Sequence, residues 1–209
     1  MYTLDKILRE SASRHKHLCP RQVLGARMGL FAVELLNLDV PRPEKRLLVI
    51  AETDGCAVDG LIAATGCRVG SRTLRILDFG KVAATFTDTC TETSIRITPS
   101  RNSRSLAFER LSNARNRWEA MLFAYQEMPA TELFVVQAVQ LNVPLSRILS
   151  MPGRKATCEV CGEEIINGRE VLNHGIVLCR SCAGERYYHT GVSSQLLQEE
   201  AVLLSDQKI

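Results

Sequence analysis

Apolar residues recur along the first two-thirds of the chain with two different periods. Over residues 24–36 (LGARMGLFAVELL) the spacing predicts a helix with a wide apolar face. Residues 46–51 (RLLVIA) make the short continuous apolar run of a buried strand. Helical spacing returns over residues 56–65 (CAVDGLIAAT), with Gly66 as the natural stop. Runs at 72–77, 81–87 and 93–98 alternate apolar with polar or are β-branched, which predicts three consecutive antiparallel strands. Leu111, Ala114, Trp118, Met121, Leu122 and Tyr125 then share one helical face, as expected of a surface helix lying on a sheet. Pro129 is placed to open another helix through Leu133 and Phe134. The expected fold class is α+β, with helices packed on a largely antiparallel sheet.

Pro152 and Gly153 break the pattern and divide the chain into a core domain at 1–150, a cysteine module at 156–190 and a short helical tail at 191–209. Within the module Cys158, Cys161, Cys179 and Cys182 follow C-x2-C-x17-C-x2-C. A two-residue gap lets both sulfurs of a turn reach one ion, and Zn2+ prefers tetrahedral thiolate coordination. The competing readings are two disulfides or a redox pair. The first 21 residues hold no apolar run followed by a small-residue cleavage site, so a cytoplasmic location is expected, and there metal chemistry prevails over disulfides. A module of about 35 residues has too little core to fold alone, so structural zinc would supply folding free energy. A knuckle at Cys158–Cys161, a hairpin around Asn173-His174 and a helix from Arg180 to Tyr188 give the order of a treble clef. This resembles the four-cysteine fingers of the TraR/DksA type. Four thiolates complete such a site, so His174 and His189 are read as surface residues.

The remaining composition is that of an ordinary globular protein, and no stretch approaches the roughly 18 apolar residues that span a bilayer. A net charge of +3 does not identify a nucleic-acid binder. Arg96, Arg101, Arg104, Arg110, Arg115 and Arg117 do cluster, with Glu109 as the single acid among them. They could meet phosphate, but sparse aromatic interleaving favours a solvated face.

The chemistry-bearing residues of the core begin with His15, His17 and Cys19 in H-x-H-x-C-P. Alternate residues of an extended segment point to one side, so these three can converge. Cys56 and Asp59 follow where the first strand meets a helix, whose N-terminus favours thiolate. Cys67 and Cys90 lack a fixed His or Cys neighbour and are read as buried structural residues.

Together HKHLCP, CAVD, GCRVG, DFGKVAATF and PATELFVV resemble the FmdE family of formylmethanofuran dehydrogenase proteins over nearly the whole first domain. The resemblance implies an α+β core, a homodimer, and a metal or reactive-thiol pocket built from His17, Cys19 and Cys56, with His15, Asp59 and Lys81 nearby. One His and two Cys suit a second Zn2+ or another transition metal with an open position. Arg21 stands where the family has Gly after the Pro, placing a cation beside that pocket. Of these, His17, Cys19, Cys56, Asp59 and Lys81 are the catalytic candidates. Three functions fit: an accessory or ligand-binding component of formylmethanofuran or molybdopterin-type one-carbon metabolism that docks on a dehydrogenase; a regulator binding nucleic acid or RNA polymerase, which is not favoured; and a metal or sulfur carrier. No Walker loop, Rossmann fingerprint or cluster-binding CxxC occurs in the core, so a self-sufficient redox component is excluded.

Overall fold

The computed structural model describes residues 3–13, 15, 17–39, 45–149 and 151–189. They fall in two compact units, within Met1–Leu149 and Ser150–Ile209. The expected tail at 191–209 lies outside the described residues. No helix among them is long and apolar enough to cross a membrane.

The first unit is built around helix α2 (Pro20–Leu35), preceded by α1 (Leu4–Ala12). Helix α2 buries residues all round its circumference, including Val23, Ala26, Met28 and Ala32, which makes it the central element of the core. Its start at Pro20 uses the fixed φ of proline in the first turn, where the missing N–H costs nothing. Strand β1 (Leu47–Ala51) leads to α3 (Ala57–Thr65), which ends at Gly66 in the left-handed region (φ 70°). Strands β2 (Leu74–Ile76), β3 (Ala84–Asp88) and β4 (Ser94–Pro99) follow, then α4 (Ser103–Arg110), α5 (Arg117–Glu127) and the single turn α6 (Ala130–Leu133). Strand β5 (Phe134–Val139) and the short α7 (Leu145–Ile148) complete the unit.

The sheet has the order β2-β1-β3-β4-β5. Pairings β1–β3, β3–β4 and β4–β5 are antiparallel, and β1–β2 is parallel. The three middle runs are therefore not consecutive neighbours: β1 lies between β2 and β3, a pairing that local alternation cannot encode. Two further expectations change. The helix expected from Pro129 lasts one turn before the β-branched run Val135-Val136 takes the chain into a strand. The face beginning at Leu111 becomes helical only at Arg117, with Asn116 as N-cap, and α5 packs chiefly on α2 and α4. Alternation puts Val49, Phe86, Ile95 and Ile97 on the face toward α2 and α3, and Leu48, Thr85, Thr87, Ser94 and Arg96 on the other.

Helices α2 and α3 run side by side in the same direction at unusually close range. A Cβ added at Gly25 would lie 2.0 Å from Ala57 O, and one at Gly60 would lie 2.1 Å from Gln22 O. Only glycine permits this approach. It brings the two helix N-termini to one end of the core.

In the second unit β6 (Lys155–Thr157) pairs with β7 (Glu164–Ile166), and β8 (Val171–Asn173) pairs with β9 (Ile176–Leu178) across a His174-Gly175 turn. The helix expected from Arg180 to Tyr188 is a single wide turn, Ser181–Glu185, broken by Gly184 at φ 108°. The buried apolar core is only Cys158, Ile165 and Leu178, consistent with a small zinc-binding domain.

Candidate metal centres

In the second unit the knuckle after β6 and the turn after β9 bring four sulfurs together. The ligand atoms of Cys158, Cys161, Cys179 and Cys182 all lie within 4.8 Å of one another. Gly162 N–H donates to Cys158 O at 2.9 Å, closing the knuckle with Gly162 at φ 75°, and Cys182 N–H donates to Cys179 Sγ at 3.3 Å. Glu159 joins the knuckle to the second hairpin, donating its N–H to Val177 O and accepting the Val177 N–H at Oε1. Backbone N–H groups of Cys161 and Cys179 bring the Cys158 thiol down to about 6. Cys161 goes the other way, up to about 12: the Glu163 N–H favours its thiolate, but burial and the three neighbouring thiols outweigh that pull. Four sulfurs this close cannot all ionise against one another, so the cluster calls for a cation. It could hold a metal ion.

In the first unit both cysteines of interest cap helices. Cys19 is the N-cap of α2 and Cys56 the N-cap of α3, and their Sγ atoms approach to 2.9 Å. The glycine-mediated packing of the two helices makes this meeting unavoidable. Gln22, fully buried, fixes the Cys19 end: its Oε1 accepts the Cys19 N–H at 2.8 Å while its Nε2 donates to Ser11 O at 3.0 Å. The C-x-x-Q spacing is a capping-box signal that could have identified Gln22 from the sequence. Burial, followed by the Cys19 thiol, pushes Cys56 up to about 11, while the charge of Arg21 pulls it down. The helix N-terminus expected to favour thiolate at Cys56 is thus overridden by desolvation.

The other candidates find separate partners. His15 Nε2 lies 2.5 Å from Asp59 Oδ2. The His17 ring sits edge-on to Trp118, with centroids 6.3 Å apart. Among the described residues the four-cysteine cluster is the one group of three or more metal-binding side chains whose ligand atoms are already gathered. Lys81 is exposed and donates its backbone N–H to Glu52 O at 3.0 Å. Glu52, immediately after β1, receives Arg96 at both oxygens (2.5 and 2.8 Å), which holds its carboxyl below the usual range. Cys67 is buried as expected, whereas Cys90 is exposed in the β3–β4 turn, a correction to the sequence reading.

The arginine cluster is largely committed. Arg96 pairs with Glu52, Arg110 with Glu132 and Arg115 with Glu119, and Arg117 lies over the Phe108 ring. Glu52, Glu119 and Glu132 all come from outside the stretch, which is why a count along the sequence finds too few acids.

Known proteins align with both units. A family model described as FmdE, Molybdenum formylmethanofuran dehydrogenase operon, matches residues 14–135. The chain is 29% identical over 213 aligned positions to the "Probable S-adenosyl-L-methionine-binding protein" of Archaeoglobus fulgidus, covering 90% of this chain and 55% of that protein. It thus spans about half the length of that curated relative. In three dimensions it matches the crystal structure of a tungsten formylmethanofuran dehydrogenase FmdE-like protein from Syntrophus aciditrophicus, with TM-score 0.57 and 19% identity over 90% of this chain and 96% of that one. That likeness is one of fold.

Proposed function

The chain belongs to the FmdE family, and on that premise we propose that it is a metal-binding accessory or ligand-binding component of formylmethanofuran or molybdopterin-type one-carbon metabolism. Two ions are assigned. The first is structural Zn2+ at Cys158, Cys161, Cys179 and Cys182. Zn–S bonds of about 2.3 Å put tetrahedral sulfurs roughly 3.8 Å apart, and Cys161 Sγ lies 3.9 Å from Cys179 Sγ. The finger is assigned to the TraR/DksA type.

The second ion, Zn2+ or another transition metal, is assigned to Cys19 and Cys56, with His17 or His15 as third ligand. The observation that carries this reading is the meeting of two sulfurs from positions 37 residues apart at the ends of two parallel helices. The thiols are soft donors and both helix termini favour negative charge there. An ion so held would supply an open coordination position to a bound ligand. Arg21 would add positive charge beside it, and the Asp59 carboxylate would orient the His15 ring. Docking on a dehydrogenase as a homodimer is part of the same proposal.

Elemental analysis of chelator-free protein tests the core site. Wild type is expected to carry two ions per chain and Cys19→Ser one. A single ion in both would overturn the core assignment and leave the finger intact.

One relative favours a second reading, in which the bound ligand is S-adenosyl-L-methionine, since the curated match extends over 90% of the chain. Calorimetric titration with that compound decides it, with saturable binding expected and no heat contradicting it. A nucleic-acid-binding regulator gains less from the arginine cluster, since Arg96, Arg110 and Arg115 are paired with carboxylates.

A further inference from the structure

Away from the sulfurs, on the face of the sheet opposite α2, the chain leaves β5 and returns toward β2, where Ile148 O accepts from Arg75 at 3.0 Å. A cavity of about 320 Å3 lies against this returning segment, lined by Thr87, Glu92, Ser94, Gln140, Leu141, Val143, Pro144 and Leu145. That volume is at the lower end of small-molecule sites.

The lining has a definite chemical sense. Thr87 and Ser94 are 1% and 6% exposed, and they set two hydroxyls against the cavity. They share one hydrogen bond of 2.8 Å, which leaves one hydroxyl proton without an acceptor among the described residues. The two hydroxyls satisfy each other, and the pair keeps one proton and free lone pairs that a bound hydroxyl could use. Pro144 and Leu145 join Leu141 and Val143 in an apolar wall of aliphatic-chain length. The single charged group in the lining is the Glu92 carboxylate, and it makes no ion pair among the described residues. Glu92 also sits at φ 59°, a left-handed conformation that Gly or Asn adopts at lower cost. This conformation belongs to the β3–β4 turn, which brings the Glu92 backbone to the edge of the cavity.

We infer that this cavity between β3, β4 and residues 140–145 binds a small aliphatic ammonium compound bearing a hydroxyl. Its cation would face Glu92, its hydrocarbon the Leu141–Leu145 wall, and its hydroxyl the Thr87–Ser94 pair. Carboxylates are excluded, because the lining holds no cation to meet them and a carboxylate to repel them.

The test is a set of two-dimensional amide NMR titrations on the full chain with aminobutanol, butylamine, butanediol and hydroxybutyrate. Aminobutanol should shift the amides of Thr87, Glu92, Ser94 and Leu145, with dissociation constants on the order of millimolar. Butylamine should bind more weakly, and the two uncharged or anionic probes should leave these amides unmoved. Glu92→Gln, an exposed turn substitution whose spectrum will show the fold intact, should weaken aminobutanol by about tenfold or more, the loss of one charge-assisted hydrogen bond. Hydroxybutyrate shifting the same amides equally, an unchanged affinity in Glu92→Gln, or no shift at saturating aminobutanol would each overturn the assignment.

Discussion

Replacing Gly25 by Ala puts the structural basis of the core site to a quantitative test. The added Cβ would lie 2.0 Å from Ala57 O and 2.9 Å from Ala57 C, both backbone atoms that cannot rotate away. Relieving contacts below 3.0 Å requires the helices to part by at least 1.0 Å (3.0 − 2.0). Overpacking of this kind costs about 1–3 kcal/mol or more, and alanine's better helix propensity returns up to about 1 kcal/mol. A net loss of about 2 kcal/mol in a unit of this size lowers Tm by roughly 4–8 °C. The same opening separates Cys19 from Cys56, because these caps lie at the ends of the two helices that move apart. Calorimetry and metal analysis together are therefore expected to show a lower Tm and loss of the core ion, with the finger ion retained. Gly70→Ala, where an added Cβ meets nothing within 4 Å, is the control and should change neither. A Gly25→Ala protein with wild-type Tm and two ions per chain would refute the reasoning.

Three further expectations follow from named contacts. Arg46 holds Asp88 well below the usual carboxylate range, so this pair's stabilisation is present above the ordinary Asp value and is lost as pH falls below about 4; Asp88→Asn should lower stability at neutral pH and flatten the acid limb of the unfolding profile, and an unchanged limb would contradict this. Chelation should expose residues 151–189 to proteolysis while the fragment within Met1–Leu149 persists, because the second unit buries only Cys158, Ile165 and Leu178 of its own; survival of both units in chelator would argue against structural metal. Trp118 is the chain's one tryptophan and lies against His17, so Co2+ entering the core site should quench its fluorescence in wild type and not in Cys19→Ser; equal quenching in both would place the ion elsewhere.

Local pattern reveals much of this architecture, and its limits are specific. The β-branched runs locate β1 to β4, and Gly66 marks the end of α3 because its left-handed φ is a local requirement. The order of the sheet is hidden, since the parallel β1–β2 pairing joins segments separated by a whole helix. The start of strand β5 is hidden because Pro129 opens a helical turn that ends after four residues, where the expected helix would run on through Phe134. The short α4 is disguised by arginines that read as a patch, and α1 escapes notice although Leu4, Ile7 and Leu8 have helical spacing. At the core site the chemistry-bearing residues stand out by type, but their pairing does not. His15, His17 and Cys19 go to Asp59, Trp118 and Cys56, partners 37 or more residues away. The close helix packing that sets the sulfur pair rests on Gly25 and Gly60, which in sequence look like weak points of two helices.

An anomalous difference map from crystals grown without chelator, with data collected on either side of the zinc edge, addresses the two-ion claim most directly. The account predicts one peak enclosed by the sulfurs of Cys158, Cys161, Cys179 and Cys182 and a second transition-metal peak bridging Cys19 and Cys56. Featureless density between Cys19 and Cys56 in a crystal whose finger is fully loaded would contradict it.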